Sequence, residues 1–392
     1  MDLTYSPEQI MLRDNAFRFL DEKYTAERRE AALSSATGHD AAIWREFADL
    51  GWLGLPFLED DGGFGGGHVE AAILMEAFGR SLVAEPWLAA VILAGQIIAR
   101  FAGPDHKQAL LPPLIGGGSY SVLAHIERDA GYRLTHVSSR AKRVKGGYVL
   151  QGRKTHVLGA LGAQSYLVTA RLSGGADDDT GIAVFLVPRG APQLTISPYR
   201  LMDRTPTARL TLDNVRVSAA DLVVENLTAE MLDQLFDTAN AALAADAVGA
   251  MNALLAATIN YTKERQQFGK PLSQFQALRH RISEMAIKCE EARAAALLAT
   301  LSLSGPASFR ARCVSGAKAK IGRISRQVAQ EAIQLQGAMG ISMEMPVGHW
   351  FKRLFVFENT FGSTAYHLQR YRDAIVAPGT SGRGLLQALE AT

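Results

Sequence analysis

The hydrophobic period of this 392-residue chain changes twice, and that change restricts the possible folds more than any other feature. Up to about residue 118 apolar residues recur at helical spacing. Ser6, Glu8 and Gln9 open a helix whose apolar side is Ile10, Leu12, Phe17 and Leu20. A Gly-rich loop, EDDGGFGGGH, leads to two further helical stretches, separated at Glu85–Pro86 because proline breaks the pattern. From residue 119 the runs shorten. YSVLAHI, YVLQGRKTHVL, SYLVTARL, GIAVFLVP, QLTISPY and ARLTLDNVRV are rich in β-branched and aromatic residues and are separated by GG, DDD and PRG. From residue 227 the helical period returns, with long helices predicted over 229–262, 276–303 and 309–339. The pattern predicts a mostly α protein with a central β domain. Its parts are an N-terminal helical domain (1–118), a small antiparallel barrel or sandwich (119–226) and a C-terminal four-helix bundle (227–392).

Composition narrows the class. Hydrophobic residues at 48% and charged residues at 20% fit a soluble globular protein, and a net charge of +2 argues against a nucleic-acid surface. The apolar run 86–98 is shorter than the ~20 residues of a membrane span. MDLTYSPEQ lacks the basic flank and apolar core of a signal peptide. Cys289 and Cys313 give neither a metal spacing nor a disulfide framework, so a reducing cytoplasmic setting is expected. The Gly-rich loop lacks a preceding strand and the GxGxxG spacing, so it reads as a helix connection.

Two segments carry chemistry. In YTKERQQFGKPLSQFQ (261–276) a helix is expected to end at Phe268–Gly269, Pro271 enforces the break, and a new helix starts near Ser273. Arg265, in the last turn beside exposed backbone N–H groups, suits a pyrophosphate. The same residues describe a capped turn with a surface arginine equally well. In QEAIQLQGAMG (330–340) a helix runs into Gly337 and Gly340, which let backbone approach a ligand or simply stop the helix.

Together these segments resemble the acyl-CoA dehydrogenase family over essentially the whole chain. RQQFGKPLSQFQ matches the family's R-x-x-F-G-x-x-[IL]-x-x-F-Q, and QLQGAMG matches Q-x-x-G-G-x-G with Ala338 at the second glycine. The resemblance implies FAD as cofactor, an acyl-CoA substrate that loses its α and β hydrogens, an electron-transfer flavoprotein as acceptor, and tetrameric assembly in which these motifs reach a neighbour's FAD. It carries FAD contacts onto Arg265, Phe268, Gln276, Gln334, Gly337 and the altered position Ala338.

The resemblance also exposes a gap. Abstraction of an α-proton from a thioester needs a positioned carboxylate while the flavin takes hydride. The family's Tyr-Glu-Gly-Thr glutamate, counted forward from Gln334, falls on Phe361, or on Gly362 if shifted by one. Some members carry the base on the preceding long helix, at a position that is Ala239 here. Asp246 lies on the same helix face, about 10 Å further along, and is a candidate base or a buried partner of an arginine. Asp237 points to roughly the opposite face, and Glu358 is expected to be structural or exposed. The family's T-E-P loop is reduced to HIERDAGYRLTHV, which keeps Glu127 as a second candidate. His156 replaces a tryptophan that often faces the flavin. GGFGGG, AADAVGAMNALL and VGHWFKRL resemble the small subunit of pimeloyl-CoA dehydrogenase and the partner subunits of heteromeric steroid side-chain dehydrogenases. Three readings follow: a subunit that serves a paralogous catalytic chain, a homotetramer with its base moved to Asp246 or Glu127, and a flavin-free CoA-binding or structural paralogue.

Overall fold

The computed structural model describes residues 4–341 and 345–376. The helices are α1 (Pro7–Lys23), α2 (Ala26–Ser34), α3 (Ala41–Asp49), α4 (His68–Ser81), α5 (Gln96–Phe101), α6 (Pro104–Ile115), α7 (Ala229–Glu264), α8 (Gln276–Leu301), α9 (Ala307–Gln336), α10 (Ala338–Ile341), α11 (Val347–Asn359) and α12 (Thr364–Val376). The expected capping box starts α1: Ser6 Oγ accepts from the Gln9 N–H, and the Ser6 N–H donates to Gln9 Oε1 at 3.0 Å. Past Pro86 the stretch Leu88–Gly95 winds as a π-helix before α5, with every residue after Leu88 buried. Its phase is held by Trp87 Nε1 donating to the Trp52 carbonyl (3.0 Å) and Gln96 Nε2 donating to the Pro56 carbonyl (3.2 Å).

The strands are β1 (Ser121–Ala124), β2 (Arg140–Val144), β3 (Gly147–Leu158), β4 (Ser165–Arg171), β5 (Ile182–Pro188), β6 (Leu194–Arg200), β7 (Pro206–Ser218) and β8 (Leu222–Val224). They form one sheet in the order β6-β7-β3-β2-β4-β5-β8, with β1 paired to β4. Most pairs are antiparallel, as the short runs and tight turns predict. The β1–β4 ladder, Ser121↔Ser165 to Ala124↔Val168, is parallel, because the chain between them passes through β2 and β3 before returning.

The chain forms two compact units that cut across the sequence order. One unit joins the N-terminal segment up to Thr25 and residues 68–83 with the chain from Asn240 onward. Glycines explain how its helices meet: a Cβ at Gly79 would lie 1.8 Å from the Asp246 carbonyl oxygen, and one at Gly249 would lie 1.9 Å from that of Glu76. Only hydrogen fits there, so α4 and α7 cross backbone to backbone. The other unit comprises residues 26–67 and 84–239 and contains the sheet. Among the described residues α7 has the length and apolarity to cross a membrane, but 72% of its most apolar window is buried inside the protein, as in a core helix.

Candidate active and cofactor sites

The 261–276 segment differs from its expected form. Helix α7 stops at Glu264, four residues before Phe268. Gln266–Gln267 then pairs antiparallel with Lys270–Pro271. Phe268 (φ +53°) and Gly269 (φ +78°) make the two-residue turn between them. Two successive positive φ values match the twist of a hairpin, which is why the backbone leaves the helix early. Phe268 stands at the tip, 91% exposed. Its ring meets that of Phe275 edge-on at 6.2 Å, and Lys270 Nζ lies 4.4 Å from the Phe275 ring centre. Arg265 is exposed at the base of the hairpin, and Gln276 is the first, exposed residue of α8.

The second segment lies at the same end of the α8–α9 pair. Arg281 on α8 is ion-paired to Glu331 on α9 at 2.6 Å. Gln276 lies five residues before Arg281 and Gln334 three residues after Glu331, so both project beyond that bridge in one direction. Gln334 is exposed. Gly337 ends α9 at φ +62°, and a Cβ added there would meet no atom within 4 Å. Ala338 is exposed and begins α10.

These residues fit FAD. An uncovered aromatic, a guanidinium, two amide side chains and a glycine bend with open space beside it together provide charge pairing for phosphates, hydrogen bonds and an apolar face. Apart from the edge contact with Phe275, Phe268 is open to solvent among the described residues.

The turn at Phe361 holds no acid and is braced from within. Phe361 adopts φ +55°, a left-handed conformation that costs a bulky residue about 1 kcal/mol or more. The buried Lys318 of α9 offsets that cost. Its Nζ donates to the carbonyls of Phe357 (2.8 Å) and Gly362 (3.0 Å) and sits 4.5 Å from the Phe357 ring centre. An ammonium there also complements the carbonyl end of α11. Burial draws Lys318 down to about 7, against the opposing field of Glu358. The Phe361 carbonyl is met by His367 Nε2 (3.1 Å) and Asn240 Nδ2 (3.5 Å). Sequence reasoning missed Lys318. The available signal was a lysine on the face of α9 otherwise occupied by Val314, Ala317 and Ile321.

Each remaining candidate carboxylate is engaged. Asp246 is fully buried and forms a two-point ion pair with Arg353, at 2.6 Å and 3.0 Å. Glu358 forms a two-point pair with Arg326 and accepts from Thr364 Oγ1. Glu127 is buried in the sheet unit. It accepts from Lys154 Nζ (2.7 Å), from the Ser139 N–H and hydroxyl, and from the Ser138 N–H and hydroxyl. Burial pushes this carboxyl up, but the Lys154 charge and the five donated hydrogen bonds outweigh it and hold it at about 2. A carboxylate so saturated is a poor proton acceptor near neutrality. Asp237 and Ala239 are buried on α7. His156 is half-buried at a break in the β3–β7 register, with φ +56° and its N–H bonded to the Tyr199 hydroxyl oxygen at 3.0 Å.

Comparison with known proteins adds what a single chain cannot. Three family models match: acyl-CoA dehydrogenase, N-terminal domain over residues 6–118, middle domain over 123–215 and C-terminal domain over 230–376. Among curated proteins, "Probable acyl-CoA dehydrogenase YngJ" of Bacillus subtilis is 31% identical over 354 residues, covering 88% of this chain and 92% of that protein. A solved structure of a variant of the Tcur3481-Tcur3483 steroid ACAD superposes with a TM-score of 0.83 at 28% identity, over 97% of this chain and 99% of the other. The ChsE4-ChsE5 complex from Mycobacterium tuberculosis gives 0.85 at 25% identity, over 97% and 100%. The chain belongs to the acyl-CoA dehydrogenase family, FAD-dependent oxidoreductases that act on acyl-CoA thioesters.

Proposed function

We propose that this chain is the base-lacking subunit of a heteromeric acyl-CoA dehydrogenase, paired with a paralogue that carries the catalytic glutamate. One observation carries the reading: both family base positions, Phe361 and Ala239, lack an acid, and the candidate carboxylates Asp246, Glu127 and Glu358 are each ion-paired. When bound, FAD supplies the hydride acceptor. Arg265 would offset charge on the cofactor's phosphates, Phe268 would cover an apolar part of it, and Gln276, Gln334 and the Gly337 backbone would hydrogen-bond it. The FAD motifs, complete but for Ala338, disfavour a flavin-free scaffold. The saturated carboxylates disfavour a relocated base. Two structural relatives bear names that join two components, Tcur3481-Tcur3483 and ChsE4-ChsE5, and this supports a mixed tetramer acting on a bulky acyl group. Electrons would leave to an electron-transfer flavoprotein. The two free, buried cysteines accord with a cytoplasmic setting.

The test is the visible spectrum of the purified chain, alone and with the paralogue, before and after addition of an acyl-CoA panel. Bleaching of the flavin only when the paralogue is present is expected. Bleaching by the chain alone, abolished in Asp246→Asn, would overturn the reading.

A further inference from the structure

The outer face of the sheet carries a charge pattern that the dehydrogenase reading does not use. In β3 the residues Val149, Gln151 and Arg153 point outward, alternating with the buried Leu150 and Lys154. The register places Lys142 of β2 opposite Val149 and Arg140 opposite Gln151. On the other flank β7 sets Arg216 opposite Val149 and Asp213 opposite Gln151. The face is therefore a lane with a neutral floor, Val149 and Gln151. Lys142 and Arg140 line one side, Arg216 lines the other, and Arg153 closes one end. Strands lie about 4.8 Å apart, so the two walls stand about 10 Å from each other.

Lys142, Arg140, Arg153 and Arg216 are all exposed. None of the four forms an ion pair with a described residue; Arg140 Nη1 donates to the Gly174 carbonyl. Asp213 is the one carboxylate in these registers, and its Oδ1 accepts from Asn214. Like charges on neighbouring strands cost stability. Here the neutral residues Val149 and Gln151 of β3 separate Lys142 and Arg140 on β2 from Arg216 on β7, so cations are not set directly opposite one another across neighbouring strands.

We propose that this lane binds an extended acidic segment of a partner protein, lying along β3 with carboxylates reaching both walls. Three of the four cations are arginines, whose planar forks match carboxylates at two points. A nucleic-acid backbone is the poorer fit. The whole chain is only +2, so it lacks a broad field for a polyanion. The Asp213 carboxylate, set in one wall, would also repel an unbroken row of phosphates.

The test uses the full-length, FAD-loaded chain and a fluorescein-labelled octaglutamate peptide, read by anisotropy across ionic strength. Binding should weaken as salt rises. Arg140→Glu with Arg216→Glu should raise Kd by about tenfold or more, as reversal of two close charge contacts does. Arg323→Glu, an exposed cation on α9, should leave Kd unchanged. If the double reversal misfolds, judged by melting and flavin absorbance, Arg140→Gln with Arg216→Gln replaces it and should weaken binding to a smaller degree. Unchanged affinity in the double variant, or tighter binding of a short DNA duplex than of octaglutamate at equal salt, would overturn the proposal. The measurement reads peptide binding and not turnover, so it stands or falls apart from the assignment of the base.

Discussion

Asp246 shows what one residue's surroundings decide. Sequence spacing placed it on the helix face that carries Ala239, as a candidate base or, more in keeping with a buried aspartate, as the partner of an arginine. Arg353, 107 residues away, settles the matter by taking both carboxylate oxygens, and no local pattern announces a partner at that distance. Removing one side of a buried pair leaves the other charge stranded, so Asp246→Asn should cost about 3–5 kcal/mol in urea unfolding. A full-strength fold with lost turnover would instead mark Asp246 as chemical. Glu127 makes a second, pH-dependent case. Its folded pKa, about 2, lies below the unfolded carboxyl value. Its contribution is therefore fully present above about 4.3 and is lost as pH falls toward 2. Glu127→Gln should be less stable at neutral pH, yet its unfolding midpoint should drop less between pH 5 and pH 3 than that of the wild type, within roughly that titration range.

At the level of elements, the sequence marked periods well and pairings poorly. The starts of α1, α7 and α8 fall on their predicted residues because capping and hydrophobic spacing are local. The hairpin at 266–271, the π-helix at Leu88–Gly95 and the parallel β1–β4 ladder were not legible. Each depends on what the chain meets elsewhere. The α4–α7 crossing is similar: Gly79 and Gly249 carry no local mark of their role, yet each faces a carbonyl oxygen less than 2 Å from where a Cβ would sit. Gly249→Ala should force the helices apart and lose about 3 kcal/mol, at the upper end of overpacking costs, by thermal or urea melting. A neutral result would mean that the crossing is loose. The brace at Lys318 obeys the same logic, since its acceptors lie 39 and 44 residues away.

For the whole molecule, the family and its cofactor were legible because two short motifs keep their spacing, whereas the state of the catalytic centre had to be read from vacancies at two positions. The residues proposed to contact FAD lie at one end of the α8–α9 pair and are exposed. Arg265→Ala and Phe268→Ala should therefore lower the ratio of flavin to protein absorbance after gel filtration by roughly tenfold in affinity each, as loss of a charged or aromatic anchor does, with melting of the apoprotein unchanged. Equal flavin retention would remove these two residues from the cofactor site. The hairpin tip has a wider consequence. A ring as uncovered as Phe268 invites the cell's chaperones, and on the proposed heteromeric reading a copy made in excess of its counterpart would present it to them for as long as it stays alone. In the proposed heteromer that surface would be finished only in company, so the abundance of this chain should then be governed by how closely its synthesis is matched to that of its counterpart.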